Sequence, residues 1–343
     1  MKVNGQRATV IAEFLADAGW GAIEPAPLAA DASFRRYYRL VDGDRRAVLM
    51  DAPPPHEDVR PYIAVSEMLR GHGLSAPEIF AEDQEHGVLL IEDFGDDTYT
   101  RLLDRGADEN RLYTLAIDTL IALQRAVTEP PALPAYDEPA LLREASLLVD
   151  WYAPSVLGAP LPQAAQDEYV DLWRELLPLA HLSPPTMVLR DYHVDNLMLL
   201  HDRDGVQGCG LLDFQDALCG PASYDLVSLL EDARRDVPAP LREAMIERYL
   251  TAFPSIDRDA FHRSAAILAA QRNAKIIGLF IRLWRRDGKP QYLSHIPRVW
   301  GLLEQNLDNP VLAPLAVWLA RYLPRHVRRV PDAATIAASA SAG

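Results

Sequence analysis

The 343-residue sequence is poor in cysteine, with only Cys209 and Cys219. Two thiols cannot form a disulfide framework or a cysteine-based zinc site, which excludes the disulfide-stabilised and zinc-finger classes. Basic residues are scarce too, because 34 Lys and Arg stand against 49 Asp and Glu, for a formal charge of −15. Nucleic acids and anionic membranes attract basic proteins, so this balance argues against both as partners.

Long apolar runs are also absent. The most apolar stretch, residues 265–280, is interrupted by four polar or basic residues between positions 271 and 275, and falls short of the ~20 apolar residues that a membrane span requires. The first residues are typical of an amphipathic helix rather than a signal peptide, since Glu13 and Asp17 lie inside the apolar run. We therefore expect a cytoplasmic protein, and nothing in the sequence indicates an obligate protein partner.

Two regions with different residue patterns predict an α+β fold. Residues 38–50 form two short apolar runs around a Gly-containing turn, which indicates a β-hairpin. A helix over 62–70 and a strand over 87–94 follow. The later part is mostly helical by its periodicity, with predicted helices at 111–127, 139–152, 164–180, 222–234, 239–253, 258–286 and 296–307, and with β structure between 186 and 216. We expect a first domain over 1–95 and a second over 96–343.

The segment from 189 to 216 is the most informative about chemistry. Asp191 is followed five positions later by Asn196, and two apolar strands joined by a turn then lead to Asp213. Phosphoryl transfer from a nucleotide needs one carboxylate to orient the attacking hydroxyl, and an amide with a second carboxylate to hold Mg²⁺. A hairpin would bring Asn196 and Asp213 close together. The pattern predicts a kinase that uses ATP and Mg²⁺, with Asp191 as the catalytic residue and Asn196 and Asp213 as metal ligands.

In these residues the sequence resembles the small-molecule branch of the protein-kinase-like fold, the aminoglycoside phosphotransferase and choline kinase group. There, a catalytic loop H-G-D-x-H-x-x-N precedes a metal motif I-D-F/W. Asp191 falls on the catalytic Asp, His193 on the second His, Asn196 on the metal-binding Asn, and Asp213 on the metal-binding Asp. The resemblance implies a bilobal fold, with a small antiparallel-sheet N-lobe that ends at a hinge near residue 95 and a mostly helical C-lobe.

Residues 220–226 are similar to a further motif of the same group, G-P-x-x-x-D-L. By this resemblance Asp225 is expected to be a buried anchor at a helix start or a loop.

The departures from the group concern phosphate binding. Met50 stands where the group has a lysine that neutralises the α- and β-phosphates, and Leu189-Arg190 replaces His-Gly before the catalytic Asp. A phosphate without a counter-charge is unfavourable in a site of reduced dielectric. The residues that replace a glycine-rich loop are candidates to bind nucleotide, namely Ser33, Phe34, Arg35 and Arg36. Either arginine can donate to phosphate oxygens, and the alternative is two solvated arginines on a hairpin.

The segments over residues 31–40, 48–55, 89–96 and 271–283 are similar to a narrower group, the bacterial kinases of cell-wall sugars. These enzymes phosphorylate the anomeric hydroxyl of N-acetylmuramate and N-acetylglucosamine during peptidoglycan recycling, so the resemblance implies an amino-sugar substrate. Kinases of aminoglycosides, choline, homoserine and methylthioribose share the core chemistry and stay open as alternatives. A pseudokinase that only binds is also open because of Met50, and so is an HD-type metal phosphohydrolase because of His201-Asp202.

Further candidates for nucleotide and substrate binding follow from their positions in the predicted strand and helix. Glu92 and Phe94 lie where a hinge strand would end, and backbone groups there would read the nucleotide base. Glu144 and Tyr152 lie on the predicted helix 139–152, which in the resembled group presents acids or aromatics to the substrate. His193 is either a substrate contact or a structural loop residue.

A basic stretch between residues 272 and 298 is an exception in this acidic chain. It contains one acid, Asp287, and the cations Arg272, Lys275, Arg282, Arg285, Arg286, Lys289 and Arg298. N-acetylmuramate carries a lactyl carboxylate, and Arg272 and Lys275 are the candidates to bind it. The alternative is a helix face whose cations pair with acids elsewhere.

Overall fold

The computed structural model describes residues 5–28, 34–181 and 184–331. By its internal contacts the chain divides into two compact units. The first unit combines Met1–Ala126 with Val194–Ala217, and the second combines Val127–His193 with Leu218–Gly343. The predicted boundary after residue 95 separates two lobes. Lobes need not coincide with these contact-based units, so the boundary stays a prediction.

The first unit is built on a five-stranded antiparallel sheet in the order β1-β2-β3-β5-β4. The strands are β1 (Ala26–Pro27), β2 (Arg36–Asp42), β3 (Arg45–Asp51), β4 (Ile79–Asp83) and β5 (Val88–Ile91). Gly43 has a φ of 60° in the turn between β2 and β3, a conformation that glycine adopts without a steric penalty. The turn therefore sets the register, in which Tyr37 lies opposite Met50 and Arg39 opposite Val48.

The two faces of this sheet have different surroundings. Side chains alternate along a strand, and one face carries Leu40 and Leu49, which pack with Leu15 in a small core. Leu15 belongs to α1 (Gly5–Asp17), the N-terminal helix that the sequence predicts. The other face carries Val48 and residues of the same parity, and it is available to line a site.

Four helices and a hairpin complete the described first unit. The helices are α1, α2 (Arg60–Gly71), α3 (Tyr99–Asp104) and α4 (Glu109–Ala126). Thr98 caps α3, since its side chain accepts a hydrogen bond from the Arg101 amide. The hairpin pairs β7 (Leu197–Leu199) with β8 (Cys209–Leu211). Asn196 precedes β7 and Asp213 follows β8, so both lie at the open end of the hairpin, where Leu197 pairs with Leu211.

The second unit is mostly helical. Its helices are α5 (Glu138–Ala145), α6 (Ala153–Leu157), α7 (Gln163–Ala180), α8 (Ser223–Leu230), α9 (Ala239–Ala252), α10 (Arg258–Asp287), α11 (Ile296–Asn306) and α12 (Ala313–Tyr322). A short antiparallel pair joins β6 (Thr186–Val188) to β9 (Leu218–Gly220). The core is mostly aliphatic and includes large buried aromatic residues, among them Trp173, Trp318 and Tyr169.

The predicted α+β class is confirmed, and so are the hairpin over 38–50 and each predicted helix, with shifted ends. The predicted helix 139–152 ends earlier, at Ala145, and is followed by a π-helical turn over Leu148–Tyr152. Strand β4 and helix α3 were not predicted, because each is short and lacks a clear apolar period.

Among the described helices, none is long and apolar enough to cross a membrane.

The longest helix, α10, approaches the π-helical turn very closely at Gly278. A Cβ atom at this position would lie 2.1 Å from the backbone carbonyl of Leu147. Only glycine leaves room for that carbonyl, although it lowers helix propensity. The close approach brings the end of α5 next to the centre of α10.

We expect the substitution Gly278→Ala to destabilise the protein, because the methyl group meets backbone atoms that cannot rotate away. Overpacking of this kind costs roughly 1–3 kcal/mol or more, which should lower Tm by several degrees. Gly301→Ala is the matched control, since a Cβ there meets nothing within 4 Å and alanine in a helix gains about 0.5–1 kcal/mol over glycine. Calorimetric scans of both variants check the prediction, and equal Tm values would contradict it.

Candidate active site

A cavity of about 360 Å³ lies within the first unit, beneath the free face of the sheet. Its walls combine apolar side chains from the sheet and the hairpin with polar residues that follow β5. The lining includes Leu28, Val48, Ile91, Met198 and Leu212, together with Asp93, Asp195, Asn196 and Asp213. An apolar slot with a few polar groups at one end suits a flat heterocycle attached to charged groups.

The segment after β5 contributes Glu92, Asp93 and Phe94 to the lining of this cavity. The Glu92 amide donates to the carbonyl of Glu78 at 2.8 Å, while the Glu92 carbonyl and the Phe94 amide make no hydrogen bond within the described residues. The Glu92 side chain is engaged elsewhere, in an ion pair with Arg203. The Phe94 ring packs against Gly210 in β8. The Glu92 carbonyl and the Phe94 amide are thus an acceptor and a donor, two residues apart, that the described residues leave unbonded.

Asn196 and Asp213 lie next to each other, as the hairpin pattern predicts. The Asn196 amide Nδ2 is 3.4 Å from Asp213 Oδ2, and Gln215 Nε2 donates to Asp213 Oδ1 at 2.8 Å. Oxygen atoms of carboxylates and amides are the ligands that Mg²⁺ prefers. Asp213 has a φ of 57°, which costs a non-glycine residue about 1 kcal/mol or more and is typical of functional positions. The donor set and its placement fit a magnesium ion.

Arg35 is the basic residue beside this pair. Its guanidinium lies 3.8 Å from Asp213 Oδ1 and 3.2 Å from Glu57 Oε2, and only 11% of its side chain is exposed. Burial lowers the pKa of this guanidinium, but Tyr37, Asp213 and Glu57 outweigh burial and raise it overall. Arg35 therefore stays a cation next to the candidate metal ligands.

The other residues predicted around the first turn are placed differently. Arg36 has the parity of Tyr38 and Leu40, which face α1, so its predicted contact with phosphates is not supported. Phe34 is exposed and its ring stacks on His56 at 4.9 Å. Ser33 lies outside the described residues. Among Phe34, Arg35 and Arg36, the predicted loop residues that the structure describes, only Arg35 contacts a candidate metal ligand.

A buried carboxylate, that of Asp225, anchors the loop that leads to Asp191. Asp225 accepts the amide hydrogens of Leu189 at 2.6 Å and of Arg190 at 2.9 Å, which confirms the expected anchor. Burial raises its pKa to about 7. Arg190 has a φ of 68°, where the resembled motif has glycine, so the unusual backbone is kept at the cost of strain.

Glu144 is the centre of a charged cluster in the second unit. Its carboxylate pairs with Lys275 Nζ at 2.9 Å and with the Arg190 guanidinium, and it accepts the Tyr136 hydroxyl. Burial raises the pKa of the Glu144 carboxyl, but Lys275 and Arg190 outweigh it and lower the pKa to about 2. Two cations thus share one carboxylate at the end of α5.

Asp191 lies within the electrostatic reach of this cluster. Burial raises the pKa of its carboxyl, but Lys275, His193 and Arg190 lower it by more, so the net pKa lies below its ordinary value. Burial and the charge of Arg234 lower the pKa of His193, against the opposing effect of nearby acids. At neutral pH Asp191 is therefore a carboxylate.

Two other predicted contacts have protein partners. The Tyr152 hydroxyl lies 2.8 Å from the Val327 carbonyl and accepts the Arg329 amide at 2.8 Å, and its side chain is fully buried. These surroundings favour a structural role, so the predicted substrate contact of Tyr152 is not supported. Arg272 is 4% exposed and donates to the carbonyl of Glu231 at 3.3 Å.

Sequence reasoning missed several residues of these sites. Arg39 lines the cavity and pairs with Asp93 at 2.7 Å and with Asp96 at 3.0 Å. The sequence marks Arg190 only as a departure from a motif. The parity of Arg39 with Val48 could have placed Arg39 on the cavity face, whereas the partners of Arg190 lie far away in sequence and leave no local pattern.

The chain is similar in sequence and in fold to several known proteins. A sequence model of the phosphotransferase enzyme family matches residues 24–263. The N-acetylmuramate/N-acetylglucosamine kinase of Pseudomonas aeruginosa is 42% identical over 319 residues, covering 88% of this chain and 90% of the relative. The enzyme of that name from Caulobacter vibrioides is 36% identical, covering 96% and 100%. A crystal structure from the choline/ethanolamine kinase family of Mesorhizobium loti matches with a TM-score of 0.63 at 14% identity, covering 92% and 99%.

Proposed function

Because the chain belongs to the phosphotransferase enzyme family, we propose that it transfers the γ-phosphoryl group of ATP to the anomeric hydroxyl of N-acetylmuramate and N-acetylglucosamine. The relatives named for these two sugars extend over most of the chain at 35–42% identity. The observation that carries the proposal is the pair Asn196 and Asp213, set beside Arg35 at one end of an apolar cavity. This is an arrangement for a nucleotide with its metal ion.

We assign the cavity to ATP. The adenine ring would lie between the apolar side chains, with the Phe94 amide donating to a ring nitrogen and the Glu92 carbonyl accepting from the amino group. Asn196 and Asp213 would hold Mg²⁺, which when bound neutralises phosphate charge. Arg35 is the candidate to supply the positive charge that a lysine at Met50 would provide, since Met50 is buried in the sheet and carries no charge.

We assign the acceptor end to Asp191 and to the cluster around it, namely Glu144, His193, Arg272 and Lys275. The Asp191 carboxylate would accept a hydrogen bond from the C1 hydroxyl and take its proton as that oxygen bonds to the γ-phosphorus. The bond from the γ-phosphorus to the bridging oxygen then breaks, and ADP leaves. Lys275 and Arg190 keep Asp191 ionised, and Glu144 holds both cations in place. Residues 1–95 would form the nucleotide-binding lobe and residues 96–343 the catalytic lobe.

The acceptor is tested by incubating the protein with ATP, Mg²⁺ and single sugars or alcohols while ADP release is followed. We expect turnover with N-acetylmuramate and N-acetylglucosamine, a ³¹P signal of a C1 phosphate, and no turnover with methyl glycosides blocked at C1. Choline and kanamycin serve as matched negative acceptors. Turnover with choline or kanamycin but not with the amino sugars would redirect the assignment to another kinase, and nucleotide binding without any turnover would favour the pseudokinase alternative.

A further inference from the structure

One arginine in the basic stretch of α10 has no hydrogen-bond or ion-pair partner in the described part of the chain. Arg272 and Lys275 contact protein groups, as described above, and Arg286 pairs with Asp287 at 2.7 Å. Within residues 5–28, 34–181 and 184–331, Arg282 makes no hydrogen bond or ion pair, and its Nε is buried. The structure thus distinguishes Arg282 from Arg272, Lys275 and Arg286.

The surroundings of Arg282 disfavour its charge. Burial lowers the pKa of its guanidinium and Arg286, one turn later, lowers it further, while Asp287 and Glu144 offset this only in part. A half-buried cation without a counter-ion is destabilising unless something else pairs with it. An anionic ligand would supply that pairing.

The position of Arg282 connects it to the acceptor end. Arg282 follows Lys275 by seven residues, about two helical turns or ~10.5 Å along the axis, so both lie on one face of α10. Lys275 acts electrostatically on Asp191, and Glu144 acts on both Lys275 and Arg282. An anion bound by Arg282 would therefore lie along this face of α10. It would lie on the C-terminal side of Lys275, whereas Arg272 lies on the N-terminal side.

We propose that Arg282 binds the carboxylate of N-acetylmuramate and thereby distinguishes this acidic sugar from neutral N-acetylglucosamine. This inference rests on the function proposed above. The two sugars differ only in a lactyl ether at carbon 3, several bonds away from the C1 hydroxyl, so the carboxylate must be recognised away from Asp191. The planar guanidinium of arginine binds a carboxylate through two parallel hydrogen bonds, which Lys275 cannot do while it is paired with Glu144.

The test is steady-state kinetics on both sugars with the full-length protein and the variants Arg282→Gln, Arg282→Lys and Arg263→Gln. Arg263 is exposed on the same helix, about 28 Å away along its axis, so its variant controls for the loss of one positive charge. We expect Arg282→Gln to raise KM for N-acetylmuramate at least ~10-fold, the scale of a charge-assisted hydrogen bond, and to leave kcat/KM for N-acetylglucosamine within about twofold. Arg282→Lys should recover part of the loss, and Arg263→Gln should change neither sugar.

A second readout separates binding from folding. Because Arg282 carries an uncompensated charge, Arg282→Gln should melt at or above the wild-type Tm, whereas an arginine with a structural role would lower it. Equal losses on both sugars, or no change on N-acetylmuramate, would overturn the inference while the proposed function stands. A wild-type protein that phosphorylates neither sugar would overturn both.

Discussion

Asp191→Asn is expected to lower kcat at least ~10²-fold on either sugar, because positioned base catalysis contributes about 10²–10⁴-fold. Asparagine has nearly the same shape and keeps a hydrogen bond to the C1 hydroxyl, but it cannot take the proton. The loss corresponds to roughly 3 kcal/mol or more of barrier. Stopped-flow or coupled-assay measurement of kcat at saturating ATP and sugar checks it.

The lowered pKa of Asp191 sharpens this expectation. Lys275 and Arg190 keep the carboxylate ionised despite burial, so the wild-type rate should not fall off on the acidic side of neutrality because of this group. Asp191 is assigned to the acceptor, so ATP affinity measured by calorimetry should be almost unchanged in the variant.

Asp202→Asn is the matched control, since Asp202 is an exposed carboxylate in the hairpin turn after β7. Its kcat should equal that of the wild type. Near-normal turnover in Asp191→Asn would remove Asp191 from the mechanism, and an equal loss in both variants would point to charge or folding rather than base catalysis.

The parts of the molecule that could be predicted from sequence are those whose determinants are local. The hairpin over β2 and β3 follows from alternation around Gly43, and the neighbouring positions of Asn196 and Asp213 follow from two apolar runs joined by a turn. In each case the pattern and the turn lie within about thirty residues. The helices of the second unit were predictable for the same reason.

The acceptor end depends instead on contacts between distant residues. Glu144 and Lys275 meet because Gly278 allows α10 to approach the π-helical turn, and no periodicity reveals where two helices cross. Predictions of which face of a strand a residue occupies fail for a similar reason, because the sequence does not show where the strand begins. Arg35 and Arg36 are adjacent in sequence, and only the start of β2 decides which of them has the parity of the cavity face.

The left-handed backbone of Arg190 and Asp213 shows how departures from a motif can be interpreted. Both residues have φ between 57° and 68°, and they are the only non-glycine residues with positive φ in the described part of the chain. One precedes the proposed base, and the other is a proposed metal ligand. Strain at such positions is typical of functional sites, and it agrees with the roles that we propose for Asp191 and Asp213.

Asp213→Asn is expected to abolish the dependence of nucleotide binding on Mg²⁺. Asparagine tolerates a positive φ better than most residues, so the fold and the hairpin should survive the change. The substitution removes the negative charge that Mg²⁺ requires, and because loss of an outer contact to a metal ligand alone costs ~10–100-fold in affinity, we expect at least ~100-fold weaker binding of Mg·ATP. Arg35 loses one carboxylate partner, so binding of ATP without metal should be equal or tighter.

Calorimetric titration of ATP with and without Mg²⁺ measures both effects in one pair of experiments. For the wild type, added Mg²⁺ should tighten binding, and for Asp213→Asn the two curves should coincide. Asp202→Asn again serves as the control, with a wild-type response to Mg²⁺. Tight, Mg²⁺-dependent binding in Asp213→Asn would mean that other oxygen ligands hold the metal, and Asp195, which lines the same cavity beside Asn196, would then be the residue to substitute next.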